Sequence, residues 1–370
     1  MNLDELRQRL DVLDRRLLEL IGERQSTSRE IARVKRATGY PTRDYARERE
    51  VILAVRSNAA ELGVPADVAE AVMRVLIRSS LTTQEKASVA AGGAGSGQRA
   101  LVIGGAGKIG GWFAQFLASQ GFAVEVADPA GGAGALPDWR ASALDHEFIV
   151  VATPLGATDA ILRELAVRKP AGVVFDVGSL KSPLRGGLEA LRAAGVRVSS
   201  LHPMFGPDTA LLSGRHVIFI DLKAGDALER ARALFAPTMV EQVVMGLEQH
   251  DRLIAYVLGL SHAVNIAFFT ALAGSGEAAP RLVQMSSTTF DAQFDIASAV
   301  AQESPELYFE IQRLNDYGAE SLDALAQAVA SLRGAVQAGD QARFTALMRA
   351  GQEYTQGRRR SDPITVSRPR

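Results

Sequence analysis

Leucine and isoleucine recur along the first stretch of the chain at Leu6, Leu10, Leu13, Leu17 and Ile21, the three-to-four spacing of one helix face. The pattern predicts a helix running to about Ala37, where Gly39 and Pro41 stop it. Such a helix is too long for a compact globule made of residues 1–86 alone, so it calls for a partner helix from another chain. The rest of residues 1–86 is charged, poor in glycine and also patterned as helix. Residues 87–98, Ala-Ser-Val-Ala-Ala-Gly-Gly-Ala-Gly-Ser-Gly-Gln, read as a flexible linker. From 99 to 245 the period changes, and short apolar runs at 99–103, 123–127, 148–152, 172–177, 196–201 and 216–220 alternate with helical stretches. That alternation predicts a parallel, doubly wound sheet. Residues 246–357 return to long amphipathic helices rich in alanine, and the arginine-rich end, 358–370, reads as a disordered tail.

Composition narrows the classes. The chain has 370 residues, enough for two or three domains, and its hydrophobic fraction of 47% can build real cores. A formal net charge of −1 argues against a nucleic-acid or polyanion partner. With no cysteine, disulfides, thiolate catalysis and cysteine-bound metals are excluded, and no metal site is expected. The charged, helix-like start lacks the apolar core of a signal peptide, and no stretch approaches the ~20 uninterrupted apolar residues of a membrane span. The expectation is a cytoplasmic protein acting on small molecules.

The sharpest motif is Val102-Ile-Gly-Gly-Ala-Gly-Lys-Ile-Gly110, set between an apolar strand and a helix at 112–119. Gly105, Gly107 and Gly110 have the Gly-x-Gly-x-x-Gly spacing. In this motif the first glycine allows the tight turn, the second lets a pyrophosphate approach the backbone, and the third lets helix and strand pack closely. The free amides and positive end of the helix then meet the diphosphate. The second strand ends in Asp128, about 20 residues on, where an acid holds the adenosine ribose hydroxyls and repels a ribose phosphate. Gly105, Gly107, Lys108, Ile109, Gly110 and Asp128 are therefore the candidate cofactor residues, and the expected cofactor is NAD.

Charges in the N-terminal helices also fall into a pattern. Arg24 and Lys35 are eleven residues apart, which returns to nearly the same helix face, whereas Arg7 lies about 100° away from it. Arg7 cannot easily join them within its own helix but could join the equivalent pair of a second subunit. Asp44, Arg47 and Glu48 share a face after the break, and Ser80 and Gln84 form an i, i+4 pair. Spacing alone leaves open that all of these form a solvated surface. The full set, with Arg43-Asp-Tyr-Ala-Arg-Glu-Arg49, resembles position by position the active site of the all-helical chorismate mutases, over residues 3 to about 86. The resemblance implies an intertwined dimer in which Arg7 comes from the other protomer. Arg7 and Arg24 would hold the substrate carboxylates, Lys35 and Gln84 would bond the ether oxygen, and Asp44 and Glu48 would receive the ring hydroxyl, with Arg47 and Ser80 in support. The rearrangement is intramolecular, so holding a compact dianion and stabilising the breaking ether oxygen suffice.

The chain has five histidines. His202 closes a strand in Leu201-His-Pro-Met-Phe-Gly-Pro-Asp208, at the sheet edge where open α/β folds bind ligands. Ser179 follows the preceding strand in Asp176-Val-Gly-Ser-Leu-Lys181, and His262 lies in a long helix after His250-Asp251. A lone histidine is usually structural. Together with the glycine loop and Pro305-x-x-Tyr308, however, these motifs resemble the prephenate dehydrogenases from Ala100 to about Tyr354. The resemblance implies a Rossmann-type nucleotide domain followed by a helical C-terminal dimerisation domain, and the whole chain looks like a chorismate mutase fused to a prephenate dehydrogenase of tyrosine synthesis. By the same resemblance His202 is the base for the C4 hydroxyl, Ser179 orients it, and His262 contacts the substrate side chain. Histidine suits that role because its unperturbed pKa lies near working pH.

One position departs from the family pattern. An arginine that grips a substrate carboxylate should stand at Ala299, and Arg252, Arg281 and Arg313 are the candidate replacements. The departure keeps a second substrate open, 4-amino-4-deoxychorismate carried through the same steps, because Asp44 and Glu48 suit an ammonium as well as a hydroxyl.

Overall fold

The computed structural model describes residues 2–93, 95–132 and 134–360; positions 361–370, most of the expected tail, lie outside them. Contacts divide the chain into two compact units, Met1–His250 and Asp251–Arg370.

The first unit begins with α1 (Leu3–Thr38), opened by a capping box between Asn2 and Glu5 and closed by Gly39 in the left-handed conformation at φ 67°. Asp44 caps α2 (Tyr45–Glu61), accepting from the Arg47 amide, and α3 (Ala66–Ala91) packs against both helices. Only Ser28 and Ala32 of α1 are buried, and the large apolar side chains from Leu3 to Leu20 are exposed.

Helix α3 changes the expected domain boundary. It continues to Ala91, well into the stretch read as a flexible linker, and Val89 is buried in the same cluster as Phe116 and Phe122 of the following domain. Alanine and valine extend the helix until Gly92, and the sheet domain supplies the surface that a linker would lack. The Glu85 carboxylate fixes the join by accepting the backbone N–H of Leu212 at 2.7 Å and of Met239 at 2.6 Å.

The sheet follows in β1 (Arg99–Ile103), α4 (Lys108–Ser119), β2 (Ala123–Ala127), β3 (Phe148–Val151), α5 (Leu155–Arg168), β4 (Val173–Asp176), α6 (Arg185–Ala193), β5 (Val198–Pro203), β6 (His216–Ile220), α7 (Ala227–Ala233) and β7 (Glu241–Met245). Its order is β2-β1-β3-β4-β5-β6-β7. The first five positions are parallel, and β2 and β3 flank β1, so the chain reverses direction across the sheet there and opens a crevice at the strands' carboxyl ends. The wholly parallel expectation fails at β6, which runs antiparallel to β5 with His202 opposite Ile218, and β7, unmarked in the sequence reading, pairs parallel to β6. The segment between β5 and β6 holds no helix to carry a parallel crossover, so the chain must come straight back. Strands β3, β4 and β5 are buried throughout, as a sheet covered on both faces requires.

Helix α8 (Leu247–Ile254) leads through a π-helical stretch (Ala255–Leu260) into α9 (Ser261–Gly274). The Gln312 side chain donates to the Gly259 carbonyl at 2.8 Å, supplying a partner where the helical ladder is disturbed. The second unit is completed by α10 (Ala279–Gln284), α11 (Thr288–Ala301), α12 (Pro305–Arg313), α13 (Gly318–Gln337) and α14 (Gln341–Arg360), so the helix persists three residues into the expected tail. Leu247–Gly274 is long and apolar enough by length and composition to cross a membrane, although the sequence reading found no such stretch.

Candidate active sites

Three helices build the first site. One face of α1 carries Arg24, Ser28, Ile31 and Lys35, the start of α2 carries Asp44, Arg47, Glu48 and Val51, and α3 brings Ile77, Ser80, Leu81 and Gln84; together they line a cavity of about 390 Å³. Every residue expected for this site is present except Arg7, which points to solvent beside Asp4. Within the cavity the Arg24 guanidinium donates to Ser80 Oγ at 2.5 Å and to the Leu76 carbonyl at 2.9 Å, so it is held in place from α3. Lys35 Nζ donates to the Thr42 carbonyl at 2.7 Å, leaving two of its protons for a ligand. Gln84 Nε2 donates to Ser28 Oγ at 3.1 Å, while its Oε1 is buried without a partner among the described residues. Glu48 is gripped in a bidentate pair by Arg43, at 2.7 and 2.9 Å, and Arg47 pairs outward with Glu50. Arg43 and Ser28 therefore act on the site although the sequence reading did not single them out. Arg43 lay in plain view inside the quoted motif, whereas nothing in the sequence marks Ser28.

The glycine loop occupies the turn from β1 to α4, and its geometry reassigns one role. The tight turn belongs to Gly104, at φ +86°, where a Cβ would stand 2.6 Å from the Ala152 carbonyl oxygen. Gly105 instead allows the loop to pass β2, since its Cβ would meet Val126 at 2.5 Å. Gly110 keeps its expected role, because a Cβ there would lie 2.1 Å from the Gly104 carbonyl oxygen. Gly107, the N-cap of α4, meets only that oxygen, at 3.3 Å, and is otherwise open, as an approaching diphosphate needs. Lys108 and Ile109 form the first turn of α4. Asp128 accepts the Ala106 amide at 3.0 Å and the Ala130 amide at 2.9 Å, which fixes its carboxylate beside the loop. The donor set fits a dinucleotide.

At the far end of the crevice His202 closes β5. Its Nδ1 lies 2.9 Å from Nε2 of His250 on α8, and both rings are buried. His250 has no role legible in the sequence, because nothing in a sequence reveals a contact across 48 residues. Beneath the pair, Lys181 Nζ donates to Asp176 Oδ1 at 2.6 Å and to the Leu201 carbonyl at 2.7 Å, with both side chains fully buried. Burial, then His250, then the Lys181 charge push the His202 pKa well below the ordinary histidine value, so its ring is neutral in the fold. Ser179 is half-buried, three residues past the end of β4.

In the second unit His262 stacks on Tyr308, with ring centroids 4.1 Å apart and planes 24° apart. Burial lowers its pKa, and its Nδ1 is buried without a partner among the described residues. Ala299 lies on the exposed side of α11. Of the candidate replacements, Arg252 stacks over Tyr317 at 4.4 Å, Arg281 pairs with Glu277 at 3.2 Å, and Arg313 is exposed.

Comparison with known proteins agrees with this division. Residues 6–85 match the chorismate mutase type II family model, residues 133–244 the nucleotide-binding domain of prephenate dehydrogenase, and residues 247–350 its dimerization domain. The T-protein of Enterobacter agglomerans is 26% identical over 321 residues, 84% of this chain and 81% of its own. The 4-amino-4-deoxyprephenate dehydrogenase of Streptomyces pristinaespiralis is 31% identical over 264 residues, covering 67% of this chain and 88% of its own. Among solved structures, the prephenate dehydrogenase of Aquifex aeolicus in complex with hydroxyphenyl propionate and NAD+ superimposes with a TM-score of 0.54 at 19% identity, over 70% of this chain and 98% of that one.

Proposed function

The chain belongs to the chorismate mutase–prephenate dehydrogenase family, and we propose that it converts chorismate to prephenate in its N-terminal helices and prephenate to 4-hydroxyphenylpyruvate, with NAD, in the remainder. The observation that carries this reading is the convergence of Arg24, Lys35, Asp44, Arg47, Glu48, Ser80 and Gln84 on one cavity, in the same chain as a buried histidine at the carboxyl edge of a dinucleotide-type sheet.

In the mutase step Arg24 holds a carboxylate, and Arg7 from a second copy takes the other. The free protons of Lys35 face the ether oxygen, and Gln84 bonds it as the C–O bond breaks and the C–C bond forms. Asp44 and Glu48 receive the ring hydroxyl. The exposed leucine stripe of α1 supports the second copy, because a protomer leaves that face in water.

For the dehydrogenase, Gly104 to Gly110 and Asp128 hold NAD, which when bound supplies the hydride acceptor. His202 Nδ1 is taken up by the contact with His250 Nε2 at 2.9 Å, and in the tautomer with the hydrogen on Nδ1 the free Nε2 is the base that takes the C4 hydroxyl proton. Ser179 orients that hydroxyl. Departure of the ring carboxylate as CO2 makes the ring aromatic and the step irreversible. We read the apolar helix Leu247–Gly274 as part of a homodimer interface in a cytoplasmic enzyme, since it begins the segment matched by the dimerization domain.

A second reading is favoured by Ala299 and by the Streptomyces relative: the second step acts on 4-amino-4-deoxyprephenate. NADH formation by the purified chain with each compound decides between them. Preference for prephenate places the enzyme in tyrosine synthesis, preference for the amino compound moves it to specialised metabolism, and silence with both removes the dehydrogenase assignment.

A further inference from the structure

A second cavity, of about 540 Å³, lies on the other side of Glu48, between α2, α3 and residues Leu211 and Ser213 of the nucleotide domain. Four arginines line it, Arg43, Arg49, Arg74 and Arg78, against a single carboxylate, Glu48. Their order on the helices is regular. Arg74 and Arg78 are one turn apart on α3, and Arg49 sits one turn before Ile52 and Leu53 on α2. Arg43 is paired with Glu48 and donates to Ser213 Oγ at 2.5 Å, and Arg74 is paired with Glu70 at 2.6 Å. Arg49 and Arg78 form no ion pair among the described residues. Between the guanidiniums the wall is apolar, formed by Ile52, Leu53, Ile77, Leu81 and Leu211.

We propose that this cavity is a second binding site, for a cyclic dicarboxylate, separate from the mutase cavity. Two unpaired guanidiniums across an apolar floor suit two carboxylates carried on a ring-sized hydrocarbon body. A bare inorganic anion would leave Ile52, Ile77 and Leu211 uncovered. The mutase substrate and product are dianions of this class; that identification rests on the proposed function, whereas the site itself rests on its own lining. Glu48, Ile77 and Leu81 form the wall shared with the mutase cavity, so a dianion released from one cavity is captured beside it, next to the dehydrogenase segment at Leu211–Ser213. Because Arg43 holds both Glu48 and Ser213, a ligand that draws on Arg43 also loosens Glu48 toward the mutase cavity.

The test is calorimetric binding of a cyclohexane dicarboxylate, carboxylates on opposite ring carbons, to the full chain carrying Arg24→Ala, which disables the mutase cavity. Binding is expected to persist in that protein and to weaken roughly 10- to 100-fold when Arg49→Ala and Arg78→Ala are added. In the chain with Arg24 intact, the same pair of changes should leave mutase turnover unaltered, which also shows that the variant folds. Equal affinity with and without the two arginines overturns the site. Displacement of the probe by inorganic phosphate at the same concentration overturns its selectivity for an apolar dianion. Full mutase activity in Arg24→Ala would instead sink the mutase assignment and leave this site standing.

Discussion

Glu85 holds the mutase helices to the nucleotide domain, and replacing it by glutamine isolates the strength of that join. Its two carboxylate oxygens accept one backbone N–H each, from Leu212 and Met239, in a buried setting. Glutamine keeps the shape and one acceptor oxygen but turns an NH2 donor toward the second amide. An unsatisfied buried donor costs about 1–3 kcal/mol. For a unit of this size each kcal/mol lowers the melting temperature by roughly 2–4 °C, so Glu85→Gln should unfold about 2–12 °C earlier. Both tryptophans, Trp112 and Trp139, belong to the nucleotide domain, and Trp112 donates to the Thr209 carbonyl three residues before Leu212, so intrinsic fluorescence reports the transition directly. Melting temperatures equal to those of the native chain would refute the role assigned to this carboxylate.

Three further outcomes follow from the sites. His202→Ala should abolish NADH formation while chorismate consumption continues, and Arg24→Ala should do the reverse; assaying both activities on each variant checks the pair. Gly110→Ala places a methyl group 2.1 Å from the Gly104 carbonyl oxygen, too close for any small adjustment, so NAD binding measured by fluorescence titration should be lost while mutase turnover persists. With His202 as the proposed base and its pKa depressed, dehydrogenase kcat/KM should hold on the acid side well below the ordinary histidine value; His250→Gln removes one cause of the depression and should move that acid limb upward.

The sequence by itself determined the helical and strand periods, the glycine loop and most of the mutase set. Those are local properties: helix phase places Arg24 and Lys35 on one face, and Gly39 can end α1 because glycine accepts a positive φ. Only the tertiary structure decided what depends on distant approach. The doublet Gly104-Gly105 was visible, but which glycine turns the chain depends on how close Ala152 and Val126 come. The linker looked free because its residues are small, and it became helix because the sheet domain buried Val89 and supplied two amides to Glu85. The reversal at β6 and the pairing of His202 with His250 have the same origin, since contacts across tens of residues leave no periodic trace in the chain. Burial then set the charge, keeping neutral a histidine whose sequence context gives only its place at a strand end.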